Sequence, residues 1–253
     1  MNDPHVVALL YGFRPESSVD YSNAEPLSHE EEAFDLSVAD GVARFDLKEH
    51  YATEEEARQA VEPFIKKWRL HARLQLAPHS FDLEFKRAII EDRNPTPGAV
   101  SLRGGFSAKI RVGAELTIGA REYPTPPQSA MIVTPDVQSM YERLVRHLEG
   151  REPLASMAYF CLTGLEGSTG ASKNKRNVAA RAYRIEQPIL DKIGSLTDRK
   201  GGSQARKWKG SGAELDANEV RFLKRAVAAI ILRMAEVAAD PHRDYPTLRM
   251  SDL

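Results

Sequence analysis

Cysteine is almost missing from this chain: the 253 residues hold one, Cys161. A single thiol excludes an internal disulfide framework and a thiolate zinc site, and points to a reducing, cytoplasmic compartment. Long apolar runs are missing too. The longest, over residues 154–165, is too short and too interrupted to span a bilayer, so no membrane partner is expected. The first residues, from Met1 to His5, lack the positive flank and cleavage site of a signal peptide. The seven histidines (His5, His29, His50, His71, His79, His147, His242) show no metal-ligand spacing. Gly164, Gly167 and Gly170 precede Lys173, but no Gly-Lys-Ser/Thr follows, so this is not a phosphate loop. Neither a metal nor a cofactor is expected.

What is present is an ordinary globular composition, 42% hydrophobic and 28% charged, enough for one large core or two small ones. The net charge of −1 conceals an asymmetry. Residues 1–56 carry 3 Lys/Arg against 14 Asp/Glu, whereas residues 173–209 carry 11 Lys/Arg against 3 Asp/Glu. The two blocks either attract each other or leave a basic surface for phosphates, and composition does not decide between them.

The hydrophobic period divides the chain. Residues 5–13 have the content of a buried strand, and the polar, acidic stretch 14–33 is expected to be a loop. Phe34, Leu36 and Val38 alternate with polar residues, as do Ala43, Phe45 and Leu47, with Asp40-Gly41 between them as a hairpin turn. Thr53 and Glu56 form a capping box ahead of a helix carrying Ala57, Ala60, Val61, Phe64, Ile65 and Trp68, which Pro63 should kink or split. Strands are expected from Phe81 through Ile90, over residues 99–103, and over 109–118 after the Gly104-Gly105 turn. The proline-rich stretch 123–131 is a stiff connector.

Beyond it the period becomes helical. Thr134-Pro135 starts a helix that buries Val137, Met140, Tyr141, Leu144, Val145 and Leu148 and stops at Gly150. Residues 153–165 are apolar nearly all round, as in a central helix. A loop over 167–174, a helix over 178–196 interrupted at Pro188, a loop over 200–212 and a helix capped by Asp216 and Glu219 complete a bundle of four or five helices. The expected fold is α+β: an antiparallel sheet with one packed helix over residues 1–122, the connector, a helical domain over 132–240 and a tail from 241 to 253.

Asp82, Glu84 and Lys86 alternate as in some metal-dependent nucleases. No further acidic ligand supports that chemistry, so they are assigned to a solvated strand face. Two readings of residues 173–209 remain. In the first, Ala179, Tyr183, Ile185, Leu190 and Ile193 take the interior positions of a helix-turn-helix. Pro188 opens the second helix, and Asn174, Lys175 and Arg176 grip backbone phosphates. Arg184 stands at the tight turn usually held by glycine, and the second helix offers base edges only Gln187, Asp191 and Lys192.

The second reading starts from element order. The apolar helix ends in Leu165-Glu166-Gly167. A basic helix follows, then the turn from Thr197 to Lys200, a glycine loop, and Leu215-Asp216-Ala217-Asn218-Glu219 opening the last helix. Over roughly residues 135–240 this order resembles the HEPN helical domain, in particular HEPN-like modules of bacterial defence proteins. The chain also resembles a family of uncharacterised bacterial proteins through residues 158–166 (from Ala158 to Glu166) and 204–207 (from Gln204 to Lys207), which implies no activity. The HEPN resemblance implies a homodimer through the helical domain and an Arg-spacer-His pair before the last helix. Here Arg199, six residues and Arg206 occupy that place, without the histidine. Metal-free RNA cleavage needs a group that moves the 2′-hydroxyl proton, and arginine is a poor base. His147 would have to come from another helix.

The sequence therefore leads to a cytoplasmic, non-catalytic protein that binds RNA or DNA, or a nucleotide, through Lys175, Arg176, Arg199, Lys200, Arg206, Lys207 and Trp208. Trp208 would stack a base while the cations hold phosphates, or else pack beneath its loop. The alternatives are a metal-independent ribonuclease with a degenerate motif, a helix-turn-helix DNA binder, and a protein-interaction module whose basic block docks on acidic surface.

Overall fold

The computed structural model describes residues 2–13, 19–21, 23–75, 81–95, 118–119, 121–128, 130–199 and 214–253. It is α+β, and it divides into two units, residues 1–126 and 127–253. The expected strands over 99–103 and 109–117, and the loop over 200–212, lie outside the described residues.

The first unit is built on a five-stranded antiparallel sheet. Its strands are β1 (Pro4–Phe13), β3 (Leu27–Glu30), β4 (Phe34–Ala39), β5 (Val42–Leu47) and β6 (Leu83–Asp92), in the order β3-β4-β5-β1-β6. β2 (Val19–Asp20) and β7 (Ile118–Gly119) form a separate parallel pair. β4 and β5 close on the expected Asp40-Gly41 turn, where both residues have positive φ (51° and 71°). That is the twist a two-residue hairpin needs. β5 and β6 both run antiparallel to β1, hence parallel to each other, so the chain between them must cross the sheet.

Helix α1 (Glu54–Gln75) makes that crossing. Thr53 and Glu56 cap its start reciprocally, Thr53 Oγ1 accepting from Glu56 N and Glu56 Oε2 accepting from Thr53 N. Ala57, Val61, Phe64, Ile65, Trp68 and Ala72 bury one stripe of it in the core formed with Leu9, Tyr11, Leu36, Val38 and Phe45. Each large side chain removed from water here contributes about 1.5–3 kcal/mol. Trp68 is fully buried, and its Nε1 donates to Pro124 O at 2.9 Å.

Two expectations are corrected in this unit. Pro63 does not split the helix, which is continuous from Glu54 to Gln75. Pro63 and Gln59, whose carbonyl loses its helical donor, are both exposed, so the loss falls on the solvent side of the helix, where it costs least. The stretch 14–33 is not all loop, because Leu27–Glu30 pairs along β4 as the short β3. An edge strand buries little, and one apolar residue among Leu27, Ser28, His29 and Glu30 leaves almost no alternation to read.

The second unit holds α2 (Pro135–Leu148), α3 (Leu154–Ser168), α4 (Lys175–Ala182), α5 (Gln187–Arg199) and α6 (Ala217–Ala239). Thr134 caps α2 through Val137 N, and Gly150 leaves it at φ 73°. α3 packs against each of the other four helices and has no exposed residue from Leu154 to Glu166. It continues through Gly167 and Ser168, so the following loop is shorter than expected. The helix expected over 178–196 is two helices. α4 begins at Lys175, and residues 183–186 break it from α5. Asp216 and Glu219 form the expected capping box on α6.

Candidate nucleic-acid interface

The basic block begins at α4. Lys173 and Lys175 are exposed at its start, where Asn174 adopts a left-handed conformation (φ 50°) and makes no side-chain cap. Arg181, near its end, is also exposed. None of these three cations pairs with a carboxylate among the described residues.

Arg176 is placed differently. Its Nε donates to Glu166 Oε1 on α3 at 2.8 Å and its Nη1 to Asp191 Oδ1 on α5 at 3.2 Å. Its guanidinium lies where a Cβ on Gly194 would fall within 2.9 Å, so a side chain at 194 would push it from its seat. The guanidinium ties three helices together, which leaves Arg176 less of its donor capacity for a ligand than Lys175.

The end of α4 explains why the expected single helix divides. Ile185 N donates to Ala180 O (2.8 Å) and Arg184 N to Arg181 O (3.3 Å), the paired bonds of a Schellman motif. Such a motif needs a left-handed residue, and Arg184 supplies it at φ 51°. Ile185 is buried beyond it. Arg233, a buried residue of α6, donates from Nη1 to the carbonyls of both Tyr183 and Arg184, and its Nε bonds Glu236. The segment after α6 joins the same turn. Leu248 N donates to Arg184 O, Glu186 N to Leu248 O, and Met250 N to Glu186 Oε2.

On α5 the helical period separates two faces. Ile189, Leu190, Ile193, Leu196 and Thr197 are buried, and Gln187, Pro188, Asp191, Lys192 and Ser195 are exposed. Lys192 Nζ lies 4.1 Å from the centroid of the Phe222 ring, which brings the first turns of α6 beside α5. There Arg221, Lys224 and Arg225 are exposed at i, i+3 and i+4, and Arg225 donates to the Asp252 carbonyl. These three were not among the expected site residues, although their spacing on one helix face is visible in the sequence. The structure brings Lys175 and Arg176 to the start of α4. Arg199 is the last residue of α5, and its side chain lies outside the described part of the structure. Lys200, Arg206, Lys207 and Trp208 fall outside the described residues.

The remaining candidates are turned inward or paired. His147 Nδ1 lies 2.9 Å from Glu152 O, and its Nε2 is buried without a partner. That ring faces the α2–α3 turn rather than solvent. Cys161 is fully buried in α3, and burial pushes its thiol up to about 12. Asp82 pairs with Arg69 (2.9 Å) and Arg73, and Glu84 with Lys86 (2.8 Å). Among the described residues, no group of three or more His, Cys, Asp or Glu is placed to hold a metal ion, and no helix is long and apolar enough to cross a membrane. No protein-family model, curated protein or solved structure matches the chain.

Proposed function

We propose that this protein binds nucleic acid through phosphate contacts made by its α4–α6 region, without catalysing a reaction on it. The observation that carries the reading is a set of six exposed cations, Lys173, Lys175, Arg181, Lys192, Arg221 and Lys224. None is ion-paired to a carboxylate among the described residues. Surface cations are ordinarily interspersed with acids; an unpaired set collects phosphates by releasing the counterions condensed on them. Lys200, Arg206, Lys207 and Trp208 follow α5 in sequence, and their chemistry suits the same ligand. Arg176 contributes by holding α4 on α5.

The test is fluorescence anisotropy of labelled single-stranded RNA, duplex RNA and duplex DNA with the full chain, in EDTA, at two salt concentrations. Affinity should fall by at least about tenfold between about 50 and 200 mM salt if several phosphates are contacted. Salt-independent affinity, or no binding at low salt, contradicts the reading. Cleavage in any sample contradicts its non-catalytic part.

A further inference from the structure

We infer that the α4–α5 pair is a helix-turn-helix and that its ligand is duplex DNA, with α5 lying in the major groove. The inference rests on the nucleic-acid reading above and narrows it to one class of ligand.

Three observations carry it. First, the helices are held as a rigid pair. Of the five positions expected inside such a motif, Ala179, Ile185, Leu190 and Ile193 are at most 3% exposed, and Tyr183 is half-buried. Arg176 binds α4 to Asp191 of α5, and Arg233 fastens the intervening turn from behind. A reading helix must be fixed to well under an ångström to present side chains to base edges, and this turn is braced from two sides.

Second, the face that α5 leaves uncovered has the shape the groove takes. Gln187, Pro188, Asp191, Lys192 and Ser195 follow i, i+1, i+4, i+5, i+8, a single stripe along the helix. A helix with its side chains is about 10–12 Å across, and the B-form major groove is about 12 Å wide. The A-form groove of duplex RNA is too narrow to admit one.

Third, the stripe carries groups that read bases, and cations flank it. Asn177 Nδ2 donates to Gln187 Oε1 at 2.7 Å, which orients the Gln187 amide at the mouth of α5. Nε2 donates to Asp191 Oδ2 at 3.4 Å, which leaves Oε1 a second lone pair and Nε2 a second N–H, the pair of groups that recognises adenine N6 and N7. Lys192 is suited to guanine O6 and N7. The one stripe carboxylate, Asp191, is met by Arg176, so it does not repel the phosphates that Lys173, Lys175 and Arg181 would hold.

The experiment selects binders from a randomised duplex-DNA library with the full chain, then compares the enriched duplex DNA with duplex RNA of the same sequence. The wild type should enrich a short motif and prefer the DNA by at least about tenfold, because the A-form groove excludes α5 and forfeits its base contacts. The Gln187→Ala variant, altered at an exposed position outside the six cations, should keep salt-dependent DNA binding within about threefold yet lose or change the motif. Equal affinity for DNA and RNA duplexes, or the same motif enriched by the variant, overturns the inference and leaves phosphate binding standing. Absence of binding to every nucleic acid at low salt overturns the phosphate reading itself.

Discussion

The guanidinium of Arg233 donates to the backbone carbonyl of Arg184 at 3.1 Å, across 49 residues of sequence. The turn between α4 and α5 therefore depends on a side chain from the last helix. The same nitrogen bonds Tyr183 O at 3.0 Å, and the Tyr245 ring centroid lies 5.4 Å from Arg233 Cζ.

Replacing Arg233 by methionine keeps the apolar stem and removes these donors. The carbonyl of Tyr183 would lose its charged partner within the protein, and such a loss costs about 1–3 kcal/mol per group. We expect urea unfolding of Arg233→Met to shift by about 2–4 kcal/mol. A shift below about 0.5 kcal/mol would show that the turn stands without Arg233.

Arg184 gives the opposite prediction. A non-glycine residue at φ 51° in a Schellman motif is strained by about 1 kcal/mol. Its ion pair with Asp244 joins two well-exposed side chains and returns little of that. Arg184→Gly should raise the thermal midpoint, with the gain reduced by the extra freedom glycine has when unfolded. A lowered midpoint would mean that the Asp244 pair outweighs the strain.

Cys161 should be inert in the folded chain. With its thiol pushed up to about 12 by burial, almost no thiolate forms at pH 8. A disulfide reagent should label it only at the rate of unfolding, so labelling should accelerate with urea. Rapid stoichiometric labelling of native protein would contradict its placement in α3.

His5 and His50 predict a local pH response in the sheet unit. Their Nδ1 atoms lie 2.9 Å apart, so one nitrogen donates and the other accepts. Desolvation, then Arg93 and His50, lower the His5 pKa below its ordinary 6.5. A histidine depressed in the folded state contributes stability above its unfolded pKa, and that contribution is lost as pH falls through the folded value. NMR titration should find His5 protonating below pH 6.5, with exchange at the start of β1 increasing in the same range. An ordinary or raised His5 pKa would contradict the desolvation of that ring.

Local features of the fold were legible because the residues that make them are neighbours in sequence. Asp40-Gly41, Thr53 with Glu56, Thr134-Pro135 and Asp216 with Glu219 each satisfy backbone groups within four residues, and each stands where the sequence places it. β3 was hidden because its partner β4 supplies the order that its own four residues lack. The α4–α5 break was half legible: the spacing of Ala179, Tyr183, Ile185, Leu190 and Ile193 implied two helices, whereas the helical period over 178–196 implied one interrupted at Pro188. The turn itself was obscured, because arginine occupies the position where glycine would announce it. Arg233 gave no local signal: its partners are backbone carbonyls distant in sequence. In the same way, no reading of Lys175 and Arg176 as adjacent cations separates the exposed lysine from the arginine held by Glu166 and Asp191.

The most direct test of the central claim is the slope of log affinity against log salt for duplex DNA, in wild type and in Lys173→Ala/Lys175→Ala/Arg181→Ala. These positions are exposed and unpaired, so the variant should keep the fold, which circular dichroism checks. Each phosphate contact contributes about −0.9 to the slope. If these cations hold phosphates, the slope loses about two to three units in the variant, with affinity reduced similarly across sequences. An unchanged slope, or a wild-type slope near zero, would contradict phosphate binding by this surface.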